Sequence, residues 1–264
     1  MTKPRRRARR PAKTKPSTTA QKRRAQAVYR ALLDLYPEAH CELNYRSPHE
    51  LLIATILSAQ ATDVSVNKAT PALFARFPTP ADYVNATPAE IEPYISAIGL
   101  FRGKAKSIHE SMKRIVEVYH GTVPATMTDL LTLRGVARKT ANVVLGNAFG
   151  INEGIVVDTH VARLAQRLGL SRHTDPARIE RDLRSLFPRA QWTMLPHLLI
   201  FHGRRVCKAR GGACATHPFC RKYCSNARAA SSSAVPGARH RRGSRTPRTR
   251  RIDTLRPRHI RMRP

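Results

Sequence analysis

The sequence predicts an all-α protein, and three observations predict it. Helix start signals recur in close form, apolar residues between them return at helical spacing, and the one β-like run, Gly154–Val157, is too short to found a sheet. Taken in order, Val28, Leu32, Leu33 and Leu35 trace a first helix. Ser47-Pro48-His49-Glu50 places a hydroxyl at an N-cap, proline at the first helical position and an acid at the third, and opens the apolar helix Leu51–Ala59. Thr79-Pro80-Ala81-Asp82 and Thr87-Pro88-Ala89-Glu90 repeat that signal. Ile108, Met112, Ile115 and Val118 trace a longer helix, and Thr128–Leu133 and Ala141–Leu145 are short apolar pieces on either side of a turn. Val161–Leu168 follows, and Asp175-Pro176 opens the next helix. Pro37, Pro71, Pro78, Pro124 and Pro188 read as helix ends.

The chain of 264 residues carries 48 Lys and Arg against 17 Asp and Glu, a formal net charge of +31 that points to a polyanionic partner. Hydrophobic residues make up 41%, enough for a core, so this is not simply a disordered basic chain. Residues 1–24 hold 11 Lys and Arg and no acid, and residues 225–264 hold 12 Arg and Asp253. Taking +11 from each end of the total leaves +9 on residues 25–224, so the nucleic-acid inference stands without the ends. Residues 1–21 and 225–264 read as disordered basic arms that add nonspecific phosphate attraction or serve only as solvated tails. The Arg-rich end, which has no Lys, is also what a GC-rich gene yields in a shifted reading frame.

No stretch approaches a membrane span, and the basic N-terminus is followed by no apolar secretory segment, so a cytoplasmic, nucleoid-associated protein is expected. Four of the five cysteines, Cys207, Cys214, Cys220 and Cys224, lie close enough in sequence to serve as thiolate ligands of a [4Fe–4S] cluster or of zinc. Cys41 stands alone and reads as a buried structural thiol.

Between the two short apolar pieces lies Arg134-Gly135-Val136-Ala137-Arg138-Lys139-Thr140. A glycine there allows a tight turn and close approach to another chain. The free amides of the following helix, with Arg138 and Lys139, suit a phosphate. A glycine turn between helices is common, however, and alone it carries little.

Its surroundings carry more. Leu133–Leu145 resembles the helix-hairpin-helix of the endonuclease III family, the bifunctional DNA glycosylases and abasic-site lyases. The resemblance continues through Leu57–Asn67, Ile98–Phe101, Val157–Val161 and Phe201–Arg205, in one order over residues 22–213. It implies a helix-hairpin-helix DNA glycosylase fold, with a six-helix barrel over 41–151 beside a second helical iron–sulfur domain made of 22–40 plus 152–224. It also implies a monomer that binds double-stranded DNA across the cleft and excises damaged bases, oxidised pyrimidines in particular.

The resemblance assigns roles to particular residues. Lys139 matches the family's catalytic lysine, an amine that displaces the base from the sugar, leaves a Schiff base and so permits β-elimination of the strand. Asp158 matches the catalytic aspartate, suited to stabilise the cationic sugar and to assist proton movement. Read without the family, the pair is a phosphate-contacting lysine and a helix cap. Gln60 matches a residue that fills the gap left by a flipped nucleotide, and Leu100 matches the apolar wedge pushed into the duplex. Their plain alternatives are a polar helix end and an ordinary core leucine. Arg134, Gly135, Val136, Ala137 and Arg138 would complete the DNA contact. Asp63 reads as a helix cap near the pocket, and His160 as a local orienting residue outside the chemistry.

The chain also departs from the family. The family ligand pattern is Cys-x6-Cys-x2-Cys-x5-Cys, whereas this chain reads Cys207-x6-Cys214-x5-Cys220-x3-Cys224 and has His217 at the third slot. Either Cys220 replaces the missing thiolate through a reshaped loop, or His217 ligates, or the cluster is weak or absent. Arg134 stands where the family usually has proline, and Ala137 where it usually has glycine; were Ala137 to need a positive φ, its methyl would cost about 1 kcal/mol. Competing readings are a non-catalytic helix-hairpin-helix DNA-binding protein and a monofunctional glycosylase of the same fold. Lys139 and Asp158 argue against the first, and Lys139, which monofunctional relatives generally lack, argues against the second.

Overall fold

The computed structural model describes residues 18–210 and 212–225; the expected basic arms lie almost entirely outside them. Twelve α-helices make up the described fold, and no strand occurs among the described residues. The chain runs through α1 (Thr19–Leu35), α2 (Pro48–Leu57), α3 (Asp63–Arg76), α4 (Pro80–Asn85), α5 (Pro88–Ile95) and α6 (Phe101–Tyr119). It continues through α7 (Met127–Leu130), α8 (Arg138–Phe149), α9 (Thr159–Arg167), α10 (Pro176–Leu186), α11 (Met194–Arg205) and α12 (Pro218–Tyr223).

Capping chemistry sets most of these starts. Thr79 and Asp82 exchange side-chain-to-backbone bonds, Thr79 N–H donating to Asp82 Oδ2 at 2.8 Å and Asp82 N–H to Thr79 Oγ1 at 3.4 Å. At Thr87 the Glu90 carboxylate accepts from both the backbone N–H, at 2.7 Å, and the hydroxyl, at 2.9 Å. Ser47 caps α2 through Glu50 N–H, while Glu50 reaches one residue further back than expected, to Arg46 N–H at 2.6 Å. A reciprocal box between Thr18 and Gln21 starts α1 at Thr19, so residues 18–21 belong to a helix and not to the basic arm. Pro71 is a second correction. It lies inside α3, where burial of Thr70, Leu73 and Phe74 on either side outweighs the one backbone bond proline cannot donate.

Two cores divide the molecule. In the first, α2 is buried all round (Leu51, Leu52, Ile53 and Leu57 have no exposed surface) because α3, α6 and α8 surround it. α8 lays Ala141, Val144 and Leu145 on α2, at about 1.5–3 kcal/mol for each large apolar side chain, and so turns its first residues outward. The second core joins α1 to α9, α10 and α11 through Val28, Leu32, Val161, Leu164, Leu183 and Leu198. Its helices come from both ends of the described chain.

Candidate active site

A cleft of about 760 Å³ is lined by residues of both cores. Lys139, the second residue of α8, and Asp158, the N-cap of α9, both line it, so two helix N-termini with their unpaired amides border the same space. The Lys139 side chain is exposed, and one Asp158 oxygen accepts from Val161 N–H at 2.7 Å, which fixes its carboxylate at the wall.

Behind them lies an ion-pair network that the sequence reading missed. Arg204 on α11 donates to Asp63 Oδ2 at 2.8 Å and also pairs with Glu42, tying the second core to the start of α3. Asp63 opens α3, but its carboxylate does not cap that helix. Thr62 does, accepting from Ser65 N–H. Burial and the neighbouring Asp158 charge push the Asp63 carboxyl above its usual value, against the opposing pull of Lys139 and His160. Asp63 is therefore within electrostatic reach of both Lys139 and Asp158. The signal available in sequence was two adjacent capping residues, Thr62 and Asp63, of which one helix start can use only one. His160 also lines the cleft and bonds the Arg163 guanidinium at 3.2 Å, not the backbone.

Gln60 and Leu100 hold unusual backbone positions. Both are left-handed, at φ 56° and 62°, a conformation uncommon for non-glycine residues and concentrated at functional turns. Gln60 is exposed and lines the cleft beyond the end of α2. Leu100 is 67% exposed at the start of α6, so it is no part of the core. It borders a neighbouring groove of about 630 Å³ that also includes Ala59, Ser107 and Gly135 of the hairpin turn.

In the hairpin, the strained position is Gly135 (φ 78°), not Ala137, which caps α8 in extended backbone at φ −97°. The cost anticipated for the Ala137 methyl does not arise. At Gly135 a Cβ would also stand 3.0 Å from the Ser107 Cβ. Gly135→Ala is expected to lower stability by about 1–3 kcal/mol, and Ala137→Gly to change it by less than about 0.5 kcal/mol, as read by urea unfolding. Val136 turns its side chain into the core and leaves only backbone to a ligand. Arg134 bonds both Glu110 oxygens, at 3.0 and 3.2 Å, and Arg138 reaches across to Glu180 on α10 at 3.2 Å, so each hairpin arginine has an acidic partner.

The four clustered cysteines converge beside the second core. Cys207, Cys214 and Cys220 have sulfurs within 4.8 Å of one another, and Cys224 Sγ lies 3.4 Å from Cys214 Sγ. α12 carries Cys220 inward, while His217, its N-cap, is not grouped with Cys207, Cys214 and Cys220 and lays its ring against His202, its buried Nδ1 without a hydrogen-bond partner among the described residues. Burial pushes the Cys214 thiol up to about 12, and hydrogen bonding among the cysteines together with burial pushes Cys220 up as well. Such thiols ionise together only around a cation, and an all-sulfur donor set suits iron–sulfur or zinc. Arg167 Nη1 stands 3.2 Å from Cys207 Sγ, and His202 Nε2 stands 3.2 Å from Cys220 Sγ with its other nitrogen on the Tyr36 hydroxyl. α9 and α11 thus brace the sulfurs directly, and Tyr36, the C-cap of α1, holds His202 in place. Cys41, by contrast, lines the cleft as a half-buried thiol, its pKa raised by burial. No helix among the described residues is long and apolar enough to cross a membrane.

Comparison with known proteins agrees with this geometry. The profile of the HhH-GPD superfamily base excision DNA repair proteins matches residues 53–189. Endonuclease III of Synechocystis sp. is 53% identical over 195 residues, covering 74% of this chain and 89% of that protein. Endonuclease III of Escherichia coli K12 is 42% identical over 187 residues, 70% of this chain and 88% of that protein. Two solved structures, a non-covalent endonuclease III–DNA complex and a trapped endonuclease III–DNA covalent intermediate, each superpose with a TM-score of 0.75 at 40% identity, over 80% of this chain and 98% of theirs. The chain belongs to the endonuclease III family of base excision DNA repair proteins and is a DNA-binding, bifunctional DNA glycosylase and abasic-site lyase.

Proposed function

We propose that the chain excises oxidised pyrimidines from double-stranded DNA through an imine on Lys139. The observation that carries this is the meeting of Lys139 and Asp158, from two helix starts, on one cleft. The amine passes its proton to a neighbouring carboxylate and bonds to the sugar C1′, and the base departs with the glycosidic electron pair and takes up a proton. Opening of the C1′–O4′ bond leaves the imine, which acidifies C2′. Loss of a C2′ proton expels the 3′ phosphate and cuts the strand. Asp158, oriented by its bond to Val161 N–H, stands where positive charge develops on the sugar. Asp63, held by Arg204, is a second carboxylate within reach of Lys139. The covalent intermediate trapped for an endonuclease III supports this route.

The base must leave the stack before this chemistry starts. Leu100 enters the duplex as a wedge and Gln60 fills the vacated position, a reading supported by their exposure and left-handed backbone. The hairpin backbone of Gly135, Val136 and Ala137 takes a phosphate, and Arg134 and Arg138 add charge beside it. Leu100→Ala should slow single-turnover excision from a fully paired duplex by about tenfold or more, yet leave a mismatched or abasic site within about threefold, because unstacking there costs less. Equal losses on all three would make Leu100 a merely structural residue.

Cys207, Cys214, Cys220 and Cys224 hold a [4Fe–4S] centre, which supplies rigidity when bound and takes no part in the chemistry of the sugar. It pins the loop bearing Lys208 and Arg210 for phosphate contact. The barrel over 41–151 and the iron–sulfur unit of 22–40 plus 152–224 close on DNA as one monomer, working on the cytoplasmic nucleoid.

A further inference from the structure

Lys104 is a buried cation that the chemistry above does not use. It sits on α6 with 6% of its surface exposed, and its Nζ donates to the carbonyl of Leu57 at 2.9 Å and of Ala59 at 2.7 Å. Those carbonyls belong to the end of α2, where backbone acceptors lack helical partners and the helix dipole is negative. The next residue is Gln60. The Lys104 backbone N–H, meanwhile, bonds the Leu100 carbonyl at 3.1 Å. One lysine thus joins the turn that carries Gln60 to the turn that carries Leu100, two exposed non-glycine residues in left-handed backbone. Strained backbone of this kind persists only where its surroundings over-determine it, and burying an ammonium requires that its donors be satisfied. Two carbonyls at one helix end accept two of its three donors here.

We propose that Lys104 is a positioning residue that locks the Gln60 and Leu100 turns into one rigid unit, so that wedge and gap-filler enter the same base-pair step together. The inference rests on the base-flipping reading of those two residues.

The test uses the full chain and two substrates. One is a duplex with a single thymine glycol opposite adenine, and the other a duplex with an abasic site opposite a gap, where nothing has to be unstacked. Lys104→Met should slow single-turnover excision from the first about tenfold, the effect of losing charged hydrogen bonds. Borohydride trapping on the second should stay within about twofold. Adding Leu100→Ala to Lys104→Met should slow excision little further, because both act on one unit, and Lys104→Arg should recover most of the loss. If Lys104→Met does not accumulate as folded protein, Lys104→Gln, which is shorter and uncharged, is read in the same way. Equal loss on both substrates, or independent multiplying losses in the double variant, overturns the proposal. If Leu100→Ala is itself unselective, the base-flipping reading fails; if Leu100→Ala is selective and Lys104→Met is not, the lock alone fails.

Discussion

Lys139→Ala is expected to abolish both the borohydride-trapped adduct and strand cleavage at an abasic site, a loss of more than about a thousandfold, because nothing else supplies the nucleophile. DNA binding should stay within a few fold, since one charge near phosphate contributes modestly. The fold should be unaffected, because the side chain is exposed and α8 is anchored by Ala141, Val144 and Leu145 further along. In the same assay Asp158→Asn should slow base excision and still cap α9, as its amide oxygen can accept from Val161 N–H. Trapping at the wild-type level in Lys139→Ala would remove the lysine from the mechanism.

The second large effect concerns Cys220. Purified protein should carry stoichiometric iron with the visible absorption of an iron–sulfur centre, and Cys220→Ser should lose it along with about 3 kcal/mol or more of stability, because a structural metal's binding energy is folding energy. His217→Ala should keep its iron, since His217 is not grouped with the sulfurs of Cys207, Cys214 and Cys220. The reverse pattern, iron kept without Cys220 and lost without His217, would return the third ligand to the family's usual position.

Much of this molecule is legible in its sequence. The hydroxyl–proline–acid signals at Ser47, Thr79 and Thr87 mark helix starts because the cap is a local interaction, settled within four residues. Pro71 was misplaced for the opposite reason. Whether a proline ends a helix depends on what its neighbours bury, and Leu73 and Phe74 find their partners elsewhere in the chain. The Ala137 backbone was likewise beyond a reading by position, since the left-handed residue of the turn is decided by how the hairpin closes on Ser107. In the cleft, Lys139 and Asp158 are singled out through the family resemblance, since by residue type and position alone they read as a phosphate-contacting lysine and a helix cap. Asp63 is placed near the pocket only as a cap, and its meeting with Glu42 and Arg204 is not legible, because it needs residues 141 and 162 positions apart. Lys104 escaped for the same reason. In sequence it is one of several lysines on a long helix, and only the fold buries it.

The claim on which the rest depends is that Lys139 becomes covalently bonded to the sugar. Borohydride reduction of the wild-type protein on abasic duplex, followed by nuclease and tryptic digestion and peptide mass mapping, reads it directly. The account predicts the sugar remnant on Lys139, in a peptide that begins after Arg138 and is not cleaved at the modified residue. An adduct on the terminal amine or on another lysine, or strand cleavage with no adduct at all, would contradict it.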